Sequence, residues 1–209
     1  MDVTLKPMIF DADNGGRIEH ISYLVKTLER IGVSGMIIED KVGEKINSLF
    51  KNQDKAKQDS IKNFCKKIRI AKNARISNDF YIIARIESFI LNKSLSDAMN
   101  RAKNYIKAGA NAILIHSKER TPAQIFSFSK KFKKIYPDIP LVSVPSTYSK
   151  VRESDLIKNG FKVVIYANHM LRSAYPSMVT TAESILKNGR SFESEKNLTP
   201  INKIINLIK

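Results

Sequence analysis

Acidic, basic and imidazole side chains recur in this chain at one kind of place, directly after short apolar runs. Asp11 and Asp13 follow the first run, Glu39 and Asp40 the second, Arg85 and Glu87 the third, and His116 and Ser117 the fourth. Asn168 and His169 follow the last run less sharply. A single charged residue after a strand is ordinarily the first solvated loop position; a set of four pairs is a signal. Asp11 and Asp13 offer hard oxygen ligands on one side of a site, which suits a magnesium ion that keeps several of its waters. Glu39 is placed to hold such waters in turn. Arg85 and His116 supply positive charge and donors for a phosphoryl or carboxylate group. Lys45 and Asn47 lie in a polar segment from Lys41 to Asn52, long enough for a gate that closes over substrate and excludes water. The set reads as Mg2+-assisted chemistry on a small phosphorylated carboxylic acid.

The elements that would position these groups alternate strand and helix. Six runs read as strands: from Pro7 (PMIFDA), Gly35 (GMIIED), Phe80 (FYIIARI), Ala112 (AILIHS), Leu141 (LVSVPS) and Val163 (VVIYAN). They are rich in Ile and Val and nearly continuous, the pattern of parallel strands covered on both faces. Between them, Ile18, Ile21, Leu24, Val25, Leu28 and Ile31 share one face of a helix that Gly32 stops. Ser94 caps a helix running to Ala108, with Gly109 beyond its end. Thr121–Pro122 opens the next helix, with Gln124 completing a capping box. A short helix begins near Glu153 and closes at Gly160. Leu171 to Lys187 is helical, and Ile201 to Ile208 forms a short amphipathic helix. The predicted class is α/β with a parallel sheet. The C-terminal strand ends of such a sheet share one face, so the polar pairs should converge there.

Composition narrows the function classes. The chain has 209 residues, 43% hydrophobic and 27% charged, which fits one folded domain over residues 1–209 and argues against disorder. No apolar run approaches the roughly 20 residues of a membrane helix. Cys65 is the one cysteine, which excludes an internal disulfide framework and a cysteine-based zinc site. A cytoplasmic enzyme or binding domain is the expectation. The net charge of +16 raises nucleic acid as a partner. Much of the excess is lysine on helical stretches such as FSKKFKKIYP, where Phe128, Phe132 and Tyr136 fall at spacings of four. That is a core-facing stripe with a solvated basic back. Nucleic acid is therefore not the expected partner, and a basic polyanion-binding domain stands as the non-enzyme alternative.

The stretch EDKVGEKINS, Glu39 to Ser48, resembles the EDK-x5-NS signature of phosphoenolpyruvate mutases, in the phosphoenolpyruvate mutase and isocitrate lyase superfamily. DADNGG at Asp11 is similar to the family's DADTG metal motif, and ARIESFI at Ala84 resembles its arginine strand. IHSKER at Ile115, VPSTY at Val144 and YANHMLR at Tyr166 resemble further family blocks. The resemblance implies a (β/α)8 TIM-type barrel and the reversible interconversion of phosphoenolpyruvate and phosphonopyruvate. It implies that Asp11 contacts Mg2+, with Asp13 and Glu39 holding it through coordinated waters. Lys45 and Asn47 would lie on the gating loop, with Asn47 reaching the phosphoryl group. Ser48, Leu49 and Ser117 would bind substrate, Leu49 sealing the loop, while Arg85 and His116 flank the transferring group. Such an enzyme stabilises a metaphosphate-like species mainly by positioning and fixed charge. The lyases of the superfamily carry a catalytic cysteine in a KKCG loop, which this chain lacks. Phosphonopyruvate hydrolase shares most of the site and is the alternative; Asn47 favours the mutase.

Six strands are two short of the implied barrel. The DAD motif ends the family's third strand and the first strand here. The two preceding strands, with their Ser-Gly substrate loop and a further site aspartate, would need roughly 60 to 70 residues. The sheet edges they would cover call for protection. Three expectations follow: a fragment or an internal start, one half of a split enzyme whose partner chain supplies the missing strands, or an inactive homologue. The resemblance also implies a homo-oligomer that exchanges a terminal helix.

Overall fold

The computed structural model describes residues 5–43, 46–48, 50, 53 and 55–207. Lys45 and Leu49 lie outside the described residues. The chain forms two compact units, residues 5–165 and 166–209.

The first unit contains all six expected strands in one sheet: β1 (Ile9–Asp11), β2 (Gly35–Glu39), β5 (Tyr81–Ile86), β6 (Ala112–Ile115), β7 (Leu141–Ser143) and β8 (Phe161–Val164). Every neighbouring pair is parallel, and the order β1-β2-β5-β6-β7-β8 follows the sequence. A sheet wound on both faces reverses direction at a switch point; sequential order instead puts every crossover on one face. The burial pattern agrees. Helices α1 (Ile21–Arg30), α2 (Ile61–Ala74), α3 (Leu95–Ala108), α4 (Ala123–Ile135) and α5 (Glu153–Lys158) contribute Val25, Phe64, Ile68, Tyr105, Phe128, Phe132 and Leu156 to one core. That core takes Met36, Ile38, Ile82, Ala84, Ile86, Ile113 and Ile115 from the strands. The alternate strand residues Ile37, Ile83, Ala112, Leu114 and Val142 pack together on the other face, in a cluster that none of these five helices joins. This is the winding of a (β/α)8 barrel with six of its strands.

Local chemistry sets the boundaries. Ser60 and Ser94 cap α2 and α3, each accepting a bond of 3.1 Å from the amide three residues on. Gly109 ends α3 at φ 113°, a conformation L side chains rarely adopt. Phe89 and Ile90 are buried, as is the Phe128–Phe132 stripe of α4.

Four expectations need correction. The capping box at Thr121 does not form: Pro122 occupies the cap position, and Gln124 accepts a bond from Ser117 instead. Ile31 falls outside α1 and is exposed, because the helix ends at Arg30 and is preceded by a separate 3-10 turn at Ile18–His20. β1 is not covered on both faces; as an edge strand its three residues are exposed. Finally, the polar segment after β2 is bracketed by an antiparallel pair, β3 (Lys41–Val42) and β4 (Lys57–Gln58), too short to leave a periodic signature.

The second unit holds α6 (His169–Asn188), a 3-10 turn at Glu195–Asn197 and α7 (Ile201–Ile205). α6 continues through Pro176 and stops at Gly189, φ 62°.

Among the described residues no helix is long and apolar enough to cross a membrane.

Candidate active site

Strand alternation decides where each polar group points. Ile37 and Ile83 line the face opposite those five helices, so Glu39 and Arg85, two residues on, point the same way, and Glu87 follows beyond the strand end. On β6, Leu114 is likewise followed by His116. Asp11 pairs with Ile37 in the β1–β2 register and shares that face. Asp40 has the opposite parity and turns toward the helices. One stretch of sequence therefore feeds two separate polar networks.

The first network centres on Glu87, which is fully buried. Its Oε1 accepts from Arg85 Nε at 2.6 Å and lies 3.1 Å from His116 Nδ1. Its Oε2 accepts from Ser48 Oγ at 2.5 Å, with Lys41 Nζ at 3.5 Å. Ser48 in turn accepts from Lys41 Nζ at 3.1 Å and Arg85 Nη2 at 3.0 Å. Arg85 Nη2 also approaches Glu39 Oε2 at 3.3 Å and His116 Nδ1 at 3.0 Å. Burial alone would raise Glu87; the bond to His116, the Arg85 charge and the Ser48 hydroxyl hold it well below the usual carboxylate range. Burial raises Glu39 despite Arg85 beside it, and burial lowers His116. Arg85 is pushed up because Glu87 and Glu39 outweigh its own burial. The result is a desolvated, preorganised cluster in which a fixed cation and an imidazole stand side by side.

The second network lies behind the first. Asp40 Oδ2 accepts from Tyr105 Oη at 2.7 Å, Gln58 Nε2 at 2.9 Å and Arg101 Nη1 at 3.1 Å. Its Oδ1 accepts the backbone N–H of Glu87 at 2.9 Å. Arg101 also binds Asp97 and the Asp59 carbonyl. Asp40 thus ties α3 and β4 to the backbone that carries Glu87.

The Asp-Ala-Asp turn meets the cluster through its backbone, since Glu39 N donates to the Asp13 carbonyl at 2.7 Å. Asp13 adopts φ 50°, a left-handed conformation that Asp tolerates, and its amide donates to Asp11 Oδ1 at 3.2 Å. Lys67 Nζ donates to the Asn14 carbonyl at 2.7 Å and braces the turn from α2. Among the described residues no group of three or more His, Cys, Asp or Glu is gathered closely enough to form a cage. Asp11 and Asp13 are exposed, with Glu39 adjacent. Such a donor set fits a cation that keeps most of its water shell and takes one or two carboxylates.

The structure brings together Glu39, Ser48, Arg85 and His116 of the expected residues. Asn47 sits beside Ser48 on the exposed side of the loop, where its carbonyl accepts from Gln53 Nε2 at 2.9 Å. Ser117 is buried, but its hydroxyl donates to Gln124 at 2.7 Å and accepts from the Glu119 amide, engaging it with the approach to α4. Sequence pattern alone places Glu87 among the strand-end pairs but gives it no role, and it gives Lys41 no place in the site. Lys41 is the third residue of the EDK block, and Glu87 stands two residues after Arg85; the period of two was the available signal.

The sequential parallel sheet with a buried polar cluster beyond its C-terminal edge defines the class, a (β/α)8-type barrel with its candidate site at the C-terminal ends of the strands. The family model described as phosphoenolpyruvate phosphomutase matches residues 1–186. A phosphoenolpyruvate phosphomutase of Tetrahymena pyriformis is 34% identical over 209 residues, covering 99% of this chain and 68% of the relative. The crystal structure of the phosphoenolpyruvate phosphomutase from Streptomyces platensis subsp. rosaceus superposes with a TM-score of 0.89 at 34% identity, covering 98% of this chain and 70% of that one. A phosphonopyruvate hydrolase in complex with oxalate and Mg++ gives a TM-score of 0.84 at 33% identity, covering 98% and 69%. The chain belongs to the phosphoenolpyruvate phosphomutase family, and it spans about two thirds of the length of these relatives.

Proposed function

We propose that the chain carries the reversible conversion of phosphoenolpyruvate to phosphonopyruvate, with Mg2+ as its metal. The observation that carries this reading is the buried Arg85–His116–Ser48 cluster at the strand ends, set beside the Asp11–Asp13 turn. Asp11 and Asp13 would hold the ion, with Glu39 binding its waters. The ion would supply charge neutralisation for substrate carboxylate and phosphoryl oxygens. Arg85 and His116 would bind the phosphoryl group, and Lys45, Asn47 and Leu49 would close the loop over it. The Arg85 charge and the His116 imidazole are held in a largely desolvated cluster, so little reorganisation is needed as charge moves. Asn47 favours the mutase over hydrolysis of phosphonopyruvate. The reading carries with it a cytoplasmic enzyme, a single domain over residues 1–209, and either a homo-oligomer or a partner chain that completes the barrel.

Incubating the purified chain with phosphonopyruvate and Mg2+ while following 31P NMR tests this. Phosphoenolpyruvate is the expected product. Inorganic phosphate would make it a hydrolase, and no conversion by folded chain would overturn the enzyme reading.

A further inference from the structure

Glu87 lies outside the groups assigned to substrate or metal, yet four side chains converge on it. The hydrogens around it can be assigned one by one. Ser48 has a single hydroxyl proton, and the 2.5 Å contact places it on Glu87 Oε2. The Ser48 lone pairs then accept from Lys41 and Arg85, so the hydroxyl is fully used. Arg85 Nε donates to Oε1 at 2.6 Å. One position stays ambiguous: His116 Nδ1 has Glu87 Oε1 at 3.1 Å and Arg85 Nη2 at 3.0 Å. If Nδ1 is bare, its lone pair faces a carboxylate oxygen with no proton between them. If Nδ1 carries hydrogen, it donates to an anion, and the remaining Nη2 hydrogen has Glu39 Oε2 at 3.3 Å to turn to. The second arrangement leaves no acceptor facing an acceptor in a desolvated site, where such a mismatch is most costly.

We propose that Glu87 is a positioning residue: it holds His116 as the Nδ1–H tautomer, leaving Nε2 as the ring nitrogen free for a ligand, while it fixes the Arg85 fork and the Ser48 hydroxyl. A single carboxylate sets the orientation of three groups from β5, the segment after β6 and the loop after β3. This parallels the way a buried acid orients an imidazole in other catalytic sites. The benefit to turnover rests on the mutase reading above; the tautomer does not.

Histidine is labelled with 15N in the full chain, and long-range 1H–15N spectra are recorded at a pH where the rings are neutral. The chain has three histidines, so His20→Asn, His116→Asn and His169→Asn assign the signals. His116 is expected with its proton on Nδ1. A proton on Nε2 in the unmodified chain would overturn the proposal. In Glu87→Gln the anionic acceptor is lost, so the His116 Nδ1 signal is expected to move toward the unprotonated range, with kcat/KM down by about tenfold or more. A Glu87→Gln chain that folds and keeps the original tautomer would also overturn it. If the chain does not turn over phosphonopyruvate at all, the spectra still decide the role of Glu87.

Discussion

Glu39 and Arg85 are direct neighbours in the β2–β5 register, and their side chains meet at 3.3 Å between Oε2 and Nη2. Parallel pairing therefore places an acid and a base from segments far apart in sequence at one level of the sheet. Arg85 reaches Glu87 with Nε and both Ser48 and Glu39 with Nη2, which only a planar fork can do.

Arg85→Lys should consequently behave as a severe substitution. It keeps the charge, so Glu39 and Glu87 are not left wholly uncompensated, but an ammonium cannot hold three oxygens in fixed directions. The expected loss in kcat/KM is about 100-fold or more, the scale of removing one preorganised donor. Steady-state kinetics on phosphonopyruvate, beside a thermal unfolding curve, would separate this from loss of fold.

Asp11 is exposed at the end of an edge strand, so its side chain contributes little to packing. Asp11→Ala should leave the unfolding midpoint unchanged while raising the Mg2+ concentration needed for half-maximal turnover by about tenfold or more. Chelation should stop turnover of the unmodified chain, and added Mg2+ should restore it. An Asp11→Ala chain with an unaltered Mg2+ requirement would remove the Asp-Ala-Asp turn from the site.

Asp40 gives a pH prediction with a definite sign. Burial raises its pKa from 3.8 to about 6, against the Arg101 charge and the bonds from Tyr105, Glu87 N and Gln58. Between those two values the folded chain binds more protons than the unfolded one, so this group's contribution to stability falls as pH rises from 4 to 6. Asp40→Asn removes that slope and leaves one or more of its four donors without an acceptor, at a cost of about 2 kcal/mol. Urea unfolding at pH 4 and pH 7 should therefore show a larger gap between the two proteins at pH 4.

How much of this was legible beforehand follows the physics of each signal. The strands were readable because parallel strands read as nearly continuous apolar runs, a run that β1 keeps although its residues are exposed, and α3 because Ser94 and Gly109 mark its ends. Convergence of Glu39, Arg85 and His116 followed from one rule about strand ends. The division between Asp40 and Glu39, adjacent in sequence and on opposite faces, was implicit in the period of two but needed the register to become visible. The failed cap at Thr121 had no local signature: Gln124 satisfies the chemistry of a box, and Ser117, close by in sequence, competes for it. β3 and β4, two residues each, owe their existence to tertiary pairing rather than to pattern.

Gly15 and Gly16 offer a matched pair in the turn that carries Asp11 and Asp13, the acids proposed to hold the metal. Both have positive φ, 79° and 67°, so alanine at either position adopts a conformation costing about 1–2 kcal/mol. They differ in surroundings. A Cβ on Gly15 would stand 3.3 Å from Ile38 Cγ2 and 3.6 Å from Ile21 Cδ1, both in the core, whereas a Cβ on Gly16 meets nothing within 4 Å. Gly15→Ala should therefore destabilise more than Gly16→Ala, the excess measuring how far the Ile38–Ile21 contact can yield. Because Lys67 holds the Asn14 carbonyl from α2, displacement at Gly15 is transmitted to the turn itself. Gly15→Ala should then weaken Mg2+ binding by calorimetry while Gly16→Ala leaves it close to the original value. Equal effects of the two substitutions on both stability and Mg2+ affinity would mean that backbone strain alone, and not packing beneath the turn, sets the position of Asp11 and Asp13.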